Sequence, residues 1–491
     1  MALKYKLFRD PVHGDIEVER WICSTFIDFD VFQRLRFIEQ SSMRMLFPGA
    51  RHDRFIHSLG TFLMAKRIFD SLRDSICVNF EEEQIHEFRN TFIIAALLHD
   101  CAHSPFSHTG EVLAADYCLE DIDDLLTKKV KDSRFALDLA RSNSATHEKA
   151  SAFVAYARFS EAFATHSINA VQLAWMIVGV KNSDIGGNSV LPVYNCLISL
   201  INGFVVDVDR LDYLARDTWA TGIRNASVDV ERLISGIEID FRAGEVVLTH
   251  RAMSSLLNAV AARDYIYQWV IPHHKVAYAN EMLVRALDAL MDVLSKRIQR
   301  NGHPKKTKVE VGKLLFSPER LLPGGKVRIC SEVIYLPTDG DLVYLMKKYI
   351  PDNPFFKAYS ERCQSHLSLW KTHAEFMQIF NPSKFPVTQN EDFWEMFSNH
   401  AQQLCKRYKG FCTDACQIKV SKRKVADVPF YLNGDVSKPL NLDYLLGKKN
   451  MTQNTYYMNA YIEKSEKTKC ATLVDALKKS FAKCVDEYSK S

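Results

Sequence analysis

From Thr91 to Leu98 the chain is almost unbroken apolar, with Ile93, Ile94, Ala95, Ala96 and Leu97 in succession, after a charged stretch over 80–90. So dense a run predicts a helix buried on all sides and ending at His99. Residues 31–40 place Phe32, Leu35 and Phe37/Ile38 at helical spacing, with Arg34, Arg36 and Gln40 on the opposite face. Residues 47–60 read as a loop opening into a helix that carries His57 and continues through Leu59, Phe62, Leu63, Ala65 and Ile68. Pro11, Gly14 and the alternating Ile16 and Val18 predict a turn leading into a short strand or extended arm over 5–20.

An acidic loop is expected around Asp121–Asp124, then helices from about Ser133, from Thr146, over 169–180 and over 191–206, and one long helical region over 252–295. Residues 301–308 are polar and basic, and beyond them strand-like runs (327–335) alternate with helical ones (341–348, 393–408, 471–488). The pattern therefore predicts a mainly α protein: a helical core over 1–300 and a smaller mixed α/β region over 301–491, accessory or oligomerising.

The 491 residues suffice for a large core, and no apolar run approaches the roughly 20 residues needed to span a bilayer. The first residues lack the apolar centre of a signal peptide, which places the protein in the cytoplasm with no membrane partner. The cysteines lack C-x-x-C spacing; Cys405, Cys412 and Cys416 form a loose cluster without a fourth ligand, so free thiols are expected. The formal charge of +4 conceals an asymmetry, because residues 301–491 carry 30 Lys and Arg against 20 Asp and Glu. Such a basic region can meet nucleic acid, although a solvated lysine face is the commoner explanation.

Chemistry concentrates where the apolar run ends, in LLHDCAHSPFSH. Burying a histidine–aspartate pair without partners costs several kcal/mol, so His99 and Asp100 must be hydrogen-bonded, charge-paired or metallated. If the helix continues, His103 lies one turn beyond His99, and Pro105 then puts His108 on a new segment. Three histidines and a carboxylate so close favour a site over a satisfied core residue. A second carboxylate-rich knot, DVDRLDYLARDT, puts Asp209, Asp212/Tyr213 and Arg216/Asp217 on one side of a helix, which composition alone would read as a surface salt-bridge ladder.

His57, the pair His99-Asp100 and the distant Asp209 make the set H…HD…D. With FRDPVHGDIE, FQRLRFIEQ, FPGARHDRFIHSLGT, LLHDCAHSPFSH, DVDRLDYLARD and RDYIYQWVIPH, the first 290 residues resemble the HD-domain deoxynucleoside-triphosphate triphosphohydrolases. The resemblance implies an HD-domain helical core and release of deoxynucleoside and tripolyphosphate from a dNTP. It implies a divalent metal ion held by His57, His99, Asp100 and Asp209, a donor set suited to Fe, Mn, Zn or Ni and less to Mg. Such an ion would acidify a water and offset phosphoryl charge.

The same resemblance puts His103, His108 and His147 in catalytic roles, with His108 as general acid, the other two contacting phosphate or orienting it, and Glu148 setting a histidine tautomer. Arg54, Arg210 and Arg263 would meet phosphate, while Gln40, Tyr213, Asp217 and Tyr267 would meet the sugar. Asp28 and Arg36 match positions for an activating nucleotide. A homo-oligomer (dimer, tetramer or hexamer) and, by analogy, a role in limiting dNTPs against a phage or virus also follow. Two other readings use the same residues: an HD phosphodiesterase or nuclease acting on nucleic acid or cyclic nucleotides, and a nucleotide sensor without turnover.

Overall fold

The computed structural model describes residues 4–118, 122–187, 190–203, 206–223, 228–300, 307–361, 364–418, 430–431 and 455–490. These residues are mainly helical and gather around three hydrophobic cores. The first draws on residues from Ile16 to Val270 together with Leu321 and Leu336. Its opening segment is an antiparallel hairpin, Tyr5–Asp10 against Gly14–Glu19, that turns at Gly14 with φ 78°. The alternation expected there is present, because Ile16 and Val18 are fully buried while Asp15 and Glu17 are exposed.

The apolar run forms the second half of the helix Glu82–Leu98, where every side chain from Asn90 onward is buried. It packs against the helix Arg54–Cys77 and against Ala170–Val178, with Thr146–Thr165 and Leu191–Ile201 also in contact. Asp53 starts the Arg54–Cys77 helix by accepting a hydrogen bond from the Ile56 amide at 2.9 Å. Residues 30–37 make only a short helix (Asp30–Gln33) and a 3-10 turn (Arg34–Phe37).

One local expectation is corrected. The acidic stretch opens a helix, Ile122–Val130, whose first turn holds Asp123 and Asp124, where the helix dipole favours negative charge; Asp121 lies outside the described residues. The long helical region over 252–295 is present as two helices, Met253–Tyr265 and His274–Arg300, separated by a π-helical turn at Ile266–Val270 and by Pro272, which cannot donate to a helical ladder.

Packing spans the division expected at 301. Residues 301–306 lie outside the described residues, but the segments on either side share the second core. Leu283, Leu287 and Leu290 of His274–Arg300 pack there with Leu315 of Lys308–Phe316, with Val327 and Ile334 of a β-hairpin (Lys326–Ile329 and Glu332–Tyr335), and with Leu342 of Asp339–Tyr349. The third core, from Trp370 to Val485, joins Glu391–Arg407 and Cys470–Tyr488 to a three-stranded antiparallel sheet with Ala460–Glu463 at its centre. The fold is thus a helical core with a mixed C-terminal region. Cys405 and Cys412 are free, buried thiols. Among the described residues no helix is long and apolar enough to cross a membrane.

Candidate active site

Three elements deliver the H…HD…D side chains to one point. His57 sits in the first turn of Arg54–Cys77, His99 and Asp100 follow the last turn of Glu82–Leu98, and Asp209 lies in the first turn of Val208–Thr221. His57 Nε2 is 2.9 Å from Asp209 Oδ1 and 3.7 Å from Asp100 Oδ2. His99 Nε2 is 3.4 Å from Asp100 Oδ2 and 3.8 Å from Asp209 Oδ1.

The other nitrogen of each ring is already committed. His57 Nδ1 is 2.7 Å from Asp212 Oδ2, and His99 Nδ1 is 2.8 Å from the Ala96 carbonyl oxygen. Each acceptor takes the Nδ1 proton, so Nε2 is the nitrogen that each ring turns toward the two carboxylates. Both Nε2 atoms are buried without an aligned hydrogen bond, and orphaned nitrogens facing two carboxylates form a donor set that fits a divalent cation. Burial alone would raise the Asp100 carboxyl, yet Arg54, His99 and His57 outweigh it and hold Asp100 well below the usual range. Asp209 is held down likewise by His57 and His99.

Behind His57 lies a buried network that the surface-ladder reading of 207–218 does not contain. Asp212 accepts from Arg216 Nε at 2.9 Å and Nη2 at 2.8 Å, and its Oδ1 is 2.7 Å from His13 Nε2. Arg216 Nη1 donates to Asp10 at 2.8 Å, and Asp10 also accepts from the Val12 and His13 amides at the hairpin turn. Asp212 and Arg216 are fully buried, which corrects the ladder. Gly60 leaves them room, since a Cβ there would lie 1.8 Å from Asp212 Oδ1.

A second cluster comprises His103, His108 and His147. The His103 ring, fully buried, stacks on that of His147 at 4.6 Å, and His108 meets both edge-on. The helix does not continue to His103: Glu82–Leu98 stops, turns close from Cys101 N to Leu98 O and from His103 N to Asp100 O, and Ser107 begins a new helix. Phe106 and Ser107 sit at φ 61° and 52°, a region costly for side chains other than glycine.

The tautomer role expected of Glu148 belongs to Glu111. His147 Nδ1 is 2.8 Å from Glu111 Oε1, and His108 Nδ1 is 3.0 Å from Oε2. Glu148 instead accepts from the Ala145 amide at 2.7 Å and from Asn202 at 2.6 Å. Glu111 stands three residues after His108 on the Ser107–Cys118 helix, a spacing the sequence does display. Burial lowers His108 despite Glu111. At His147 burial also lowers, but the Glu111 hydrogen bond and charge, with Asp100 and Glu148, prevail and raise the imidazole. The proton of this pair thus rests on His147 more readily than on His108. His103, desolvated and near Arg54, stays neutral.

Both clusters open onto one cavity of about 420 Å³. His99, Asp100 and Asp209 line one part and His108 and His147 another, while Gln40, Arg54, Arg210, Tyr213, Asp217, Arg263 and Tyr267 line the rest. Arg54, expected to reach phosphate, is ion-paired with Asp100 and donates to Ser107 Oγ at 2.9 Å. Arg210 Nε lies 3.5 Å from Asp207, and the Arg263 guanidinium sits 4.7 Å over the Tyr267 ring. Asp217 Oδ1 is 2.8 Å from His52 Nε2, a partner that sequence reasoning missed. Asp28 pairs with Lys6 and Arg36 with Gln33, away from this cavity.

A family model of the HD domain matches residues 54–216. An uncharacterized protein of Methanocaldococcus jannaschii is 28% identical over 285 residues, 57% of this chain and 49% of that protein, so the chain spans about half its length. The deoxynucleoside triphosphate triphosphohydrolase SAMHD1 of Gallus gallus is 30% identical over 264 residues, 47% of this chain and 36% of that enzyme. The fold is shared with the crystal structure of a hypothetical protein from Aquifex aeolicus (TM-score 0.62, 20% identity, 96% of this chain and 100% of that one).

Proposed function

The chain carries an HD domain homologous to those of deoxynucleoside triphosphate triphosphohydrolases, and from that premise we propose that it cleaves dNTPs to deoxynucleoside and tripolyphosphate. One observation carries the reading: metal donors, a proton-bearing histidine pair, arginines and two tyrosines line the same cavity. His57, His99, Asp100 and Asp209 would hold a divalent cation, which supplies Lewis acidity and lowers the pKa of a water.

Arg210 and Arg263 grip phosphate oxygens, where a planar guanidinium offers paired donors. Arg54 keeps Asp100 ionised and oriented. Gln40, Tyr213, Asp217 and Tyr267 face the sugar, with Asp217 already fixed by His52. As water oxygen bonds to the α-phosphorus, the bond to the 5′ oxygen breaks and that oxygen must gain a proton. The general acid first expected at His108 is better placed at His147. Glu111 holds His147 Nδ1 and raises the imidazole, leaving Nε2 to hand over the proton. His108 shares Glu111, and His103 packs the His147 ring in place.

The test is a product analysis over all four dNTPs, their ribose counterparts and a single-stranded oligonucleotide, with Mn2+, Fe2+, Zn2+, Ni2+ and Mg2+ in turn. Deoxynucleoside plus tripolyphosphate supports the reading. Pyrophosphate plus monophosphate, or consumption of the oligonucleotide alone, rejects it. Size-exclusion with light scattering tests assembly as a dimer, tetramer or hexamer. Titration with labelled nucleic acid tests the basic C-terminal region, part of which (419–429 and 432–454) lies outside the described residues.

A further inference from the structure

The loop bearing the catalytic histidines is fastened by residues from the far half of the chain. Asp339, the first residue of the helix Asp339–Tyr349, accepts a hydrogen bond from the Phe106 amide through Oδ1 at 2.6 Å. Its Oδ2 accepts from the Glu39 amide at 3.0 Å. One carboxylate thus bridges the backbone just before His108 to the backbone just before Gln40. Two residues earlier, the Pro337 carbonyl accepts from Arg34 Nε at 2.7 Å, and Arg34 Nη1 donates to the His103 carbonyl at 2.9 Å. Arg34 is buried, so these bonds lie beyond the reach of bulk water.

The segment so held needs holding. Phe106 and Ser107 are both in the left-handed region, a conformation that persists only where the surroundings over-determine it. Within the first 300 residues the same loop is met by Ser107 Oγ, which donates to the Glu39 carbonyl, and by Arg54, which donates to Ser107 Oγ and, at 3.3 Å, to the Gln40 carbonyl. Asp339 closes this ring from outside, on the amide side of both segments.

We propose that Asp339, with Pro337 and Arg34, is a positioning clamp: it ties the His103–His108 loop to the Gln40 segment so that the proton-transfer histidines and the sugar side of the cavity keep one geometry. The inference rests on the dNTPase reading for its catalytic consequence and on the backbone bonds for the clamp itself. It gives the region after 301 a part in the active site without that region lining the cavity.

The isosteric variant Asp339→Asn can accept from one amide and must turn an NH2 group toward the other. Hydrogen exchange should then speed up at the Phe106 or Glu39 amide, or both, by about ten-fold or more, while amides in the Glu82–Leu98 helix keep their protection. In full-length protein kcat should fall roughly ten-fold with KM changed less than about three-fold, and bound metal per chain should stay the same. Arg34→Lys, which trades a two-pronged donor for a single point, should produce the same split. The double variant should lose little more than the worse single one, because both changes open the same clamp.

Unchanged protection at both amides would overturn the clamp, whatever the activity. Faster exchange with kcat unaltered in both single variants would overturn its positioning role. A wild-type protein that turns over no dNTP would instead remove the preceding functional reading, and the exchange measurement would still decide the clamp. If Asp339→Asn does not fold, Arg34→Lys carries the same comparison.

Discussion

Replacing Asp212 by asparagine perturbs the proposed metal centre without touching a proposed ligand. Asp212 accepts four bonds in a fully buried position: His57 Nδ1 and Arg216 Nε on Oδ2, His13 Nε2 and Arg216 Nη2 on Oδ1. Asparagine keeps the shape but has one oxygen, so two donors lose their acceptor and face an NH2 group. Two charge-assisted bonds at about 1.5–3 kcal/mol each, partly recovered because Arg216 still holds Asp10, put the loss near 3–5 kcal/mol. Loss of the acceptor behind a metal-ligating histidine weakens metal binding by about 10- to 100-fold. Urea unfolding with and without Mn2+ reads the first quantity, and competition with a chelator of known affinity reads the second. Wild-type midpoints together with wild-type chelator resistance in Asp212→Asn would refute the network as a support for His57.

Three further outcomes are expected. Asp209→Ala should abolish Mn2+ binding by calorimetry and, with it, product formation; metal bound at wild-type affinity would remove Asp209 from the donor set. For Glu111→Gln, the groups facing His147 are Glu111, Asp100, Glu148, His103 and His108. Removing the Glu111 charge lowers the raised His147 pKa, so the protonated form, present below that pKa, is lost at lower pH. The alkaline limb of kcat/KM should therefore move down the pH scale, and an unmoved limb would exclude His147 as the proton donor. Gly60→Ala should destabilise the protein by about 1–3 kcal/mol or more, because the added carbon collides with Asp212, and an unchanged melting temperature would contradict the close approach.

Much of the centre was legible because it is written locally. The apolar run 91–98 could only be a buried helix, and the motifs around His57, His99 and Asp209 appear in order along the chain. The pairings that tune those side chains could not be read, because they join distant segments. His13 meets Asp212 across 199 residues and Asp339 meets Phe106 across 233. The sequence pointed to Glu148, adjacent to His147, for orienting a histidine and did not single out Glu111, three residues from His108. The crossing of Ser107–Cys118 past the start of Thr146–Thr165 decides between them.

From residue order alone came the helical core, the mixed region after it and the identity of four convergent donors, since periodicity and side-chain chemistry are properties of short windows. Tertiary structure alone decided which nitrogen of each histidine is free, which carboxylate each arginine answers, and that segments before 301 and after 306 share a core. Those are matters of which surfaces meet, and a buried polar atom takes the partner that packing brings to it.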